Sequence, residues 1–309
     1  MKVHTDLNTF NIQKPVITIG VFDGVHLGHR KVISKLLTLA QEEKGESVIV
    51  TLWPHPRLVL SDDIDSLRLL NTLEEKKILL EEQHIAHLVI LPFTKEFSRM
   101  SACRFVEDIL VNKLKVSHLL IGHDHHFGKD RGGDYQDLKE CAQSNNFKLT
   151  RVDPEKDKGS SISSTMIRKQ LLEGNLKTAN QYLGYEYFIR GKVVGGNRIG
   201  KKIGFPTANI EIPESYKLIP RDGVYAVKTS VGPHLHKGML NIGERPTINK
   251  HGYKKSIEVH LFEFEENIYD QKITLHFIER IRDEQKFKHV DQLTEQLKKD
   301  KETALKILA

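Results

Sequence analysis

In the first half of the chain, apolar residues come in short β-branched bursts separated by longer stretches of helical periodicity. Val16–Phe22 (VITIGVF) is the first burst, and a helical pattern follows it from about Gly28 to Lys44. Ser47–Trp53 (SVIVTLW) is the second. After it come a helix near Glu74–His84, a strand at Ala86–Leu91, a helix over Ser101–Lys113 and a strand at Ser117–Ile121. Asp134–Asn145 and Phe147–Val152 repeat the alternation once more. Strand–helix–strand at this spacing predicts right-handed crossovers and a parallel sheet covered on both faces, an α/β Rossmann-like domain. Ligands of such sheets bind beyond the carboxyl ends of the strands, so the loops after the bursts are where chemistry belongs.

Around Gly184 the pattern changes. Short β-rich segments at Tyr185–Val194, Gly223–Thr229, Lys237–Ile242, Ser256–Phe264 and Lys272–Phe277 are separated by Gly, Pro and Asn turns, which predicts an antiparallel barrel. The last segment carries Val290, Leu293, Leu297, Ala304 and Leu308 at helical spacing, a stripe expected to pack on that barrel. The length of 309 residues suits two domains, divided here as 1–183 and 184–309.

Composition narrows the class without naming a function. Charged residues make up 28% and hydrophobic ones 39%, as in folded soluble proteins. No apolar run reaches the roughly 18–20 residues that span a bilayer, and the N-terminus has no apolar signal core. A cytoplasmic protein without a membrane partner is expected. Cys103 and Cys141 are too few for a disulfide framework and are expected as buried or half-buried thiols. A net charge of +6 suits small polyanions and is weak support for nucleic acid, so no nucleic-acid partner is expected.

The first strand ends in GVFDGVHLGH, Gly20 to His29. Two histidines three residues apart, His26 and His29, stand where a strand turns into a helix. Gly24 and Gly28 let backbone approach a ligand closely, and the helix start offers unpaired N–H groups to a phosphate. Imidazoles there can donate to phosphate oxygens whose charge grows in a transition state. TLWPHP (Thr51–Pro56) and the polar, glycine-rich GHDHHFGKDRGGD (Gly122–Asp134) follow later strands. SSISSTMIRKQL puts Ser163, Ser164 and Thr165 at a helix start with Arg168 one turn on, a second possible phosphate clamp, or a plain N-cap with a surface arginine. The irregular spacing of His118, His123, His125 and His126 does not suit a metal set.

The second half opens with GKVVGGNRIGKKIGFPTANI, Gly191–Ile210. Glycines 195, 196, 200 and 204, with Arg198, Lys201 and Lys202 among them, describe a basic loop suited to covering phosphates. It matches neither GxxxxGK[ST] nor GxGxxG. In PTAN, Thr207 and Asn209 fall on one face of a strand and can share a Mg²⁺ with ATP oxygens. In SIEVHLFEF the periodicity alone does not select Glu258, which reads equally as a solvated strand residue.

As a set, GxFDGxHxGH, TxxPHP, GxDxxFG and ISSTxIR in the first half resemble the adenylyltransferase module of bacterial riboflavin kinase/FMN adenylyltransferases. GKKIGFPTANI, DGVYAV, NIGERPT, IEVHLFEF and IRDEQKF resemble the riboflavin kinase module that follows it. The resemblance implies a nucleotidyltransferase-type α/β fold followed by a six-stranded antiparallel barrel with a C-terminal helix. It implies phosphorylation of riboflavin to FMN and adenylylation of FMN to FAD with release of pyrophosphate, using ATP and Mg²⁺. His26 and His29 would stabilise the reacting phosphate, with Gly20, Phe22, Asp23 and Gly28 around the donor nucleotide. Ser164, Thr165 and Arg168 would grip its β- and γ-phosphates. Pro54, Asp124 and Phe127 would line the flavin or nucleotide site, and His125 stands where many members carry Phe. In the kinase half, Glu258 would be the general base, Thr207 and Asn209 would bind Mg²⁺, and Gly195, Lys201 and Gly204 would cover ATP. Arg245 would lie at the substrate rim. Two other readings compete: a nucleotidyltransferase with another acceptor such as phosphopantetheine, and an RNA-gripping barrel. The complete second module and the lack of interleaved basic and aromatic residues argue against them.

Overall fold

The computed structural model describes residues 1–61, 67–122, 135–153, 156–157, 160–196, 200, 203–245 and 254–309. The chain divides into two compact units, Met1–Ser163 and Ser164–Ala309.

The first unit is built on a six-stranded sheet of order β1-β4-β3-β2-β5-β6, parallel throughout. Its strands are β1 (Lys2–His4), β2 (Pro15–Ile19), β3 (Glu46–Trp53), β4 (His87–Pro92), β5 (His118–Gly122) and β6 (Lys148–Val152). Strands covered on both faces need apolar residues at successive positions rather than alternate ones. Val48, Ile49 and Val50 accordingly lie in sequence on β3, all fully buried. Helices α1 (Leu27–Glu42), α2 (Pro56–Leu60), α3 (Leu73–Glu81) and α5 (Tyr135–Ser144) occupy the connections. The helix expected over 101–113 begins as α4 (Ala102–Arg104) and widens into a π-turn at Phe105–Val111, where Asn112 N–H donates to Glu107 O five residues back. Phe105, Val106 and Leu110 face the core from it. The edge strand β1 was not foreseen, because three residues are too few to show a period. Cys103 is exposed rather than buried, Cys141 half-buried, and their Sγ atoms lie 4.0 Å apart. A two-stranded β7 (Lys156–Asp157) and β8 (Ser160–Ser161) closes the unit.

The second unit starts with α6 (Ser164–Glu173) and α7 (Leu176–Leu183) and continues into a closed antiparallel barrel of order β10-β13-β12-β11-β14-β9. The strands are β9 (Phe188–Val194), β10 (Ala208–Glu211), β11 (Gly223–Val231), β12 (His234–Arg245), β13 (Lys254–Leu261) and β14 (Lys272–Arg282). Closure leaves no sheet edge exposed to other chains. The compact division falls before α6 because both helices are tied to the barrel. Asn180 Nδ2 donates to Phe277 O (2.9 Å), Tyr187 N–H donates to Asn180 Oδ1 (2.8 Å), and Arg221 N–H reaches Leu171 O (3.1 Å). The C-terminal helix α8 (Val290–Ile307) packs through Leu297, Ala304 and Leu308 on Phe205, Met239 and Phe262, while Val290 stays exposed. Asp300, buried on that helix, takes a bidentate Arg282 from β14 (2.9 and 2.7 Å). Among the described residues no helix is long and apolar enough to cross a membrane.

Candidate functional site

β2 ends at Ile19, and the chain turns through Gly20–His26 before α1 begins. Phe22 (φ 50°), Gly24 (φ 90°) and Val25 (φ 36°) are all left-handed. A β-branched residue there is strained, so the surroundings must hold it. They do: Val25 is fully buried, and Thr51 on β3 donates to Val21 O (3.4 Å). The Asp23 carboxylate accepts from Leu70 N–H (2.9 and 3.2 Å) and Asn71 N–H (3.2 Å), pinning the turn to the segment that leads into α3.

This turn delivers His26 as the N-cap residue of α1 and His29 within its first turn. The two rings stack with centroids 3.7 Å apart and planes 22° apart, and Phe22 flanks His29 at 5.1 Å. Gly28 makes the stack possible, since a Cβ there would lie 3.1 Å from the His26 ring and 3.3 Å from Ile162 O. Burial, then the neighbouring His26 and Lys76 charges, hold His29 well below the usual imidazole pKa. It is therefore neutral at pH 7, and its buried Nδ1 meets no hydrogen-bond partner among the described residues. A neutral His29 imidazole beside the amide end of a helix offers donors to an anion. At the end of β3, Pro54 is exposed, and the buried His55 caps α2 by accepting Arg57 N–H on its Nδ1 (3.0 Å). A cavity of about 410 Å³ along α2 is lined by Pro56, Arg57, Leu60, Ser61 and Leu67.

In the second unit the site lies on strands. Asn209 on β10 sits in register opposite Glu258 on β13, which is opposite Asn241 on β12 in turn. Thr207, just before β10, donates its hydroxyl to Glu258 Oε2 (3.2 Å). Glu258 and Asn209 are half-buried and Thr207 is exposed. Gly196 lies against Asn209, whose side chain would overlap any Cβ at that position. His260, two residues beyond Glu258 on the other side of a buried Val259, bonds through Nδ1 to Pro206 O (2.7 Å). Burial keeps its pKa below the usual imidazole value, so the neutral ring carries its proton on Nδ1 and fixes the Pro206–Thr207 backbone. Three oxygen-bearing side chains thus converge on the β10–β13 pair of the barrel.

The FAD synthetase family model matches residues 9–166, and the riboflavin kinase model matches residues 183–308. A bifunctional riboflavin kinase/FMN adenylyltransferase of Listeria monocytogenes is 39% identical over 298 residues, covering 96% of this chain and 92% of its own. The chain belongs to the bifunctional riboflavin kinase/FMN adenylyltransferase family. The Bacillus subtilis member is 37% identical over 294 residues, with 95% and 92% covered. A solved structure from Streptococcus pneumoniae, described as a macrolide-efflux protein, superposes with a TM-score of 0.88 at 29% identity and covers 98% of this chain and 97% of its own. Family membership gives one chain two activities, FMN adenylyltransferase in the sheet region and riboflavin kinase in the barrel region.

Against that family background, the sheet region brings together Gly20, Phe22, Asp23, His26, Gly28 and His29 in one turn, and the barrel region brings together Thr207, Asn209 and Glu258. Ser164 opens α6, and Arg168 Nη1 reaches back to Thr165 Oγ1 (3.4 Å). Among the described residues nothing lies within 4 Å of where a Cβ would stand on Gly195 or Gly204 (φ 81°). Asp124, Phe127 and Lys201, with His123, His125, His126, Arg198 and Lys202, lie outside the described residues. Arg245 ends β12 opposite Lys254, and its side chain also lies outside them. Sequence reasoning missed Lys76 and Asn71, both buried at the start of α3. The sequence marks only the helix start, where Thr72 and Glu75 of T-L-E-E form a capping box, and nothing in LEEKK marks Lys76 as buried.

Proposed function

We propose the following division of labour for the two activities. In the barrel region, Glu258 takes the proton from the ribityl 5′-hydroxyl of riboflavin as that oxygen attacks the γ-phosphorus of ATP, releasing ADP and FMN. Phosphoryl transfer of this kind needs positioning and charge neutralisation and no covalent enzyme intermediate. Gly195, Lys201 and Gly204 cover the nucleotide. Thr207 and Asn209 hold Mg²⁺, a hard cation that such oxygen donors suit and that neutralises ATP phosphates when bound. In the sheet region, a phosphate oxygen of FMN attacks the α-phosphorus of a second ATP, and pyrophosphate leaves. His26, His29 and the amide end of α1 stabilise the charge that grows on the α-phosphate. Gly20, Phe22, Asp23 and Gly28 shape the turn, Ser164, Thr165 and Arg168 grip the β- and γ-phosphates, and Pro54, Asp124 and Phe127 contribute to the flavin or nucleotide site, while Arg245 lies at the substrate rim of the barrel region. The functional modules are 1–183 and 184–309, and the protein works in the cytoplasm.

The observation that carries this reading is the convergence of Thr207, Asn209 and Glu258 from two strands. Glu258, which reads from the sequence as a solvated strand residue, accepts a bond from a hydroxyl 51 residues away and stands in register with Asn209. The experiment is incubation of the pure chain with riboflavin, ATP and Mg²⁺, with FMN and FAD separated by chromatography over time. FMN should rise first and FAD follow. Omitting Mg²⁺ should stop the first step, and FMN formation at an undiminished rate without it refutes the metal assignment.

A further inference from the structure

The sheet region buries a charge that no carboxylate among the described residues pairs directly. Lys76, in the first turn of α3, is 2% exposed, and among the described residues no carboxylate oxygen lies within 4 Å of its Nζ. The carboxylate whose field it feels, Asp23, already accepts from two backbone N–H groups. Its Nζ stands 5.7 Å from the centroid of the Trp53 ring, a contact much weaker than the desolvation of an ammonium. Five residues earlier, Asn71 is 1% exposed, and among the described residues neither its Oδ1 nor its Nδ2 has a hydrogen-bond partner. Buried carboxamides are nearly always bonded, and buried ammonium groups nearly always paired. One cation and one amide that the described residues leave unsatisfied beside the Asp23–His29 turn describe a place for an anionic ligand that accepts hydrogen bonds.

We propose that Lys76 binds the phosphate of the flavin mononucleotide acceptor, neutralising it as it approaches the α-phosphate of the donor, with the Asn71 carboxamide as a further contact to the same nucleotide. This rests on the reading that His26 and His29 hold the donor phosphates. Lys76 is assigned to the acceptor because it stands by Trp53 at the end of β3, whereas both imidazoles stand at the end of β2. Two phosphates must meet for the reaction, and a cation between the two strand ends lowers their repulsion.

The test compares the full-length wild type with Lys76→Met and His29→Ala, supplied with ATP, Mg²⁺ and FMN. Lys76→Met is expected to raise the KM for FMN about tenfold and to lower kcat/KM for FAD formation about 100-fold. The KM for ATP and the rate of riboflavin phosphorylation should stay unchanged. The thermal midpoint followed by Trp53 fluorescence should hold or rise, because methionine keeps the volume and removes an uncompensated charge. A purely structural lysine gives the opposite, early melting with an unchanged KM, and that result overturns the proposal. In the wild type, FMN binding should weaken as pH rises past about 8, where burial has lowered the Lys76 pKa against the pull of Asp23. That limb should be missing from Lys76→Met; if the wild type itself lacks it, the proposal fails without any variant. If His29→Ala loses FAD formation while Lys76→Met keeps the wild-type KM and pH profile, the Lys76 assignment alone is wrong. If His29→Ala makes FAD normally, the site reading beneath it is wrong.

Discussion

The two sites differ in what they keep from water. Around the sheet-region turn His26, Asp23 and Lys76 are buried, and His29 is held neutral by its burial. In the barrel region, Thr207 is exposed, and Asn209 and Glu258 are half-buried on strands in register. On the proposed assignment, the contrast follows from the acceptors. A phosphate monoester is already an anion at pH 7, so its site has no need of a base and must offset charge. An alcohol reacts only as its proton leaves, so its site needs a carboxylate with room to hold one. The sheet-region carboxylate, Asp23, is occupied with the backbone of residues 70 and 71 and serves the turn instead. The protonation state of the acceptor, not the shared donor ATP, thus sets the chemistry of each site.

The strongest way to break this comparison is to remove the base. Glu258→Gln keeps the shape and the Thr207 contact but cannot take a proton. FMN formation should fall by roughly 10²–10⁴-fold, the range for loss of a positioned general base. FAD formation from supplied FMN should be untouched, which chromatography of the two products reads directly. A parallel loss in both steps would mean that the two sites are not independent. Next in size is His29→Ala, expected to lower FAD formation by about 10²–10³-fold while riboflavin phosphorylation continues. An effect on FMN formation alone would invert the assignment of the two halves.

How much of this was legible depended on distance along the chain. The HxGH turn and PTAN are short, and their chemistry is written in neighbouring residues. Glu258 was ambiguous because its partner Asn209 is 49 positions away and only strand register brings them face to face. Lys76 was invisible for a similar reason. In LEEKK it reads as part of a solvated face, and only the bonds from Leu70 and Asn71 to Asp23, 47 and 48 positions back, explain how that turn of α3 comes to lie against the β2 turn. The strands of the sheet were readable because total burial leaves unbroken apolar runs. The short β10 was readable only through PTAN, since its pattern is cut by the glycine loop before it.

A smaller effect sharpens the barrel side of the comparison. Asn209→Ala should raise the Mg²⁺ concentration needed for riboflavin phosphorylation by about tenfold or more, because it removes one of the two side-chain oxygens proposed to hold the ion. Titration of Mg²⁺ at fixed ATP measures it, and FAD formation from FMN in the same preparation is the internal reference. Gly196→Ala should act in the same direction, because its Cβ would overlap the Asn209 side chain.

The smallest effect expected is on stability and separates the two regions by their imidazoles. His29 in the sheet region is depressed well below 6.5, while His260 and His276 in the barrel are lowered less, all chiefly by burial. A depressed folded-state pKa means that the unfolded chain binds more protons as pH falls below 6.5. The stability this group contributes is therefore complete above about pH 6.5 and is lost as pH drops toward its folded value. One such group contributes at most about 1.4 kcal/mol per pH unit. Trp53, the single tryptophan of the chain, lies in the sheet region and reports its unfolding. Urea titrations followed at Trp53 should lose stability between pH 7 and pH 5 more steeply in the wild type than in His29→Gln. His276→Gln in the barrel should leave that slope unchanged. If His29→Gln also leaves it unchanged, the imidazole is not held neutral, and the contrast between a buried, charge-offsetting site and a half-open, proton-accepting one loses its electrostatic basis.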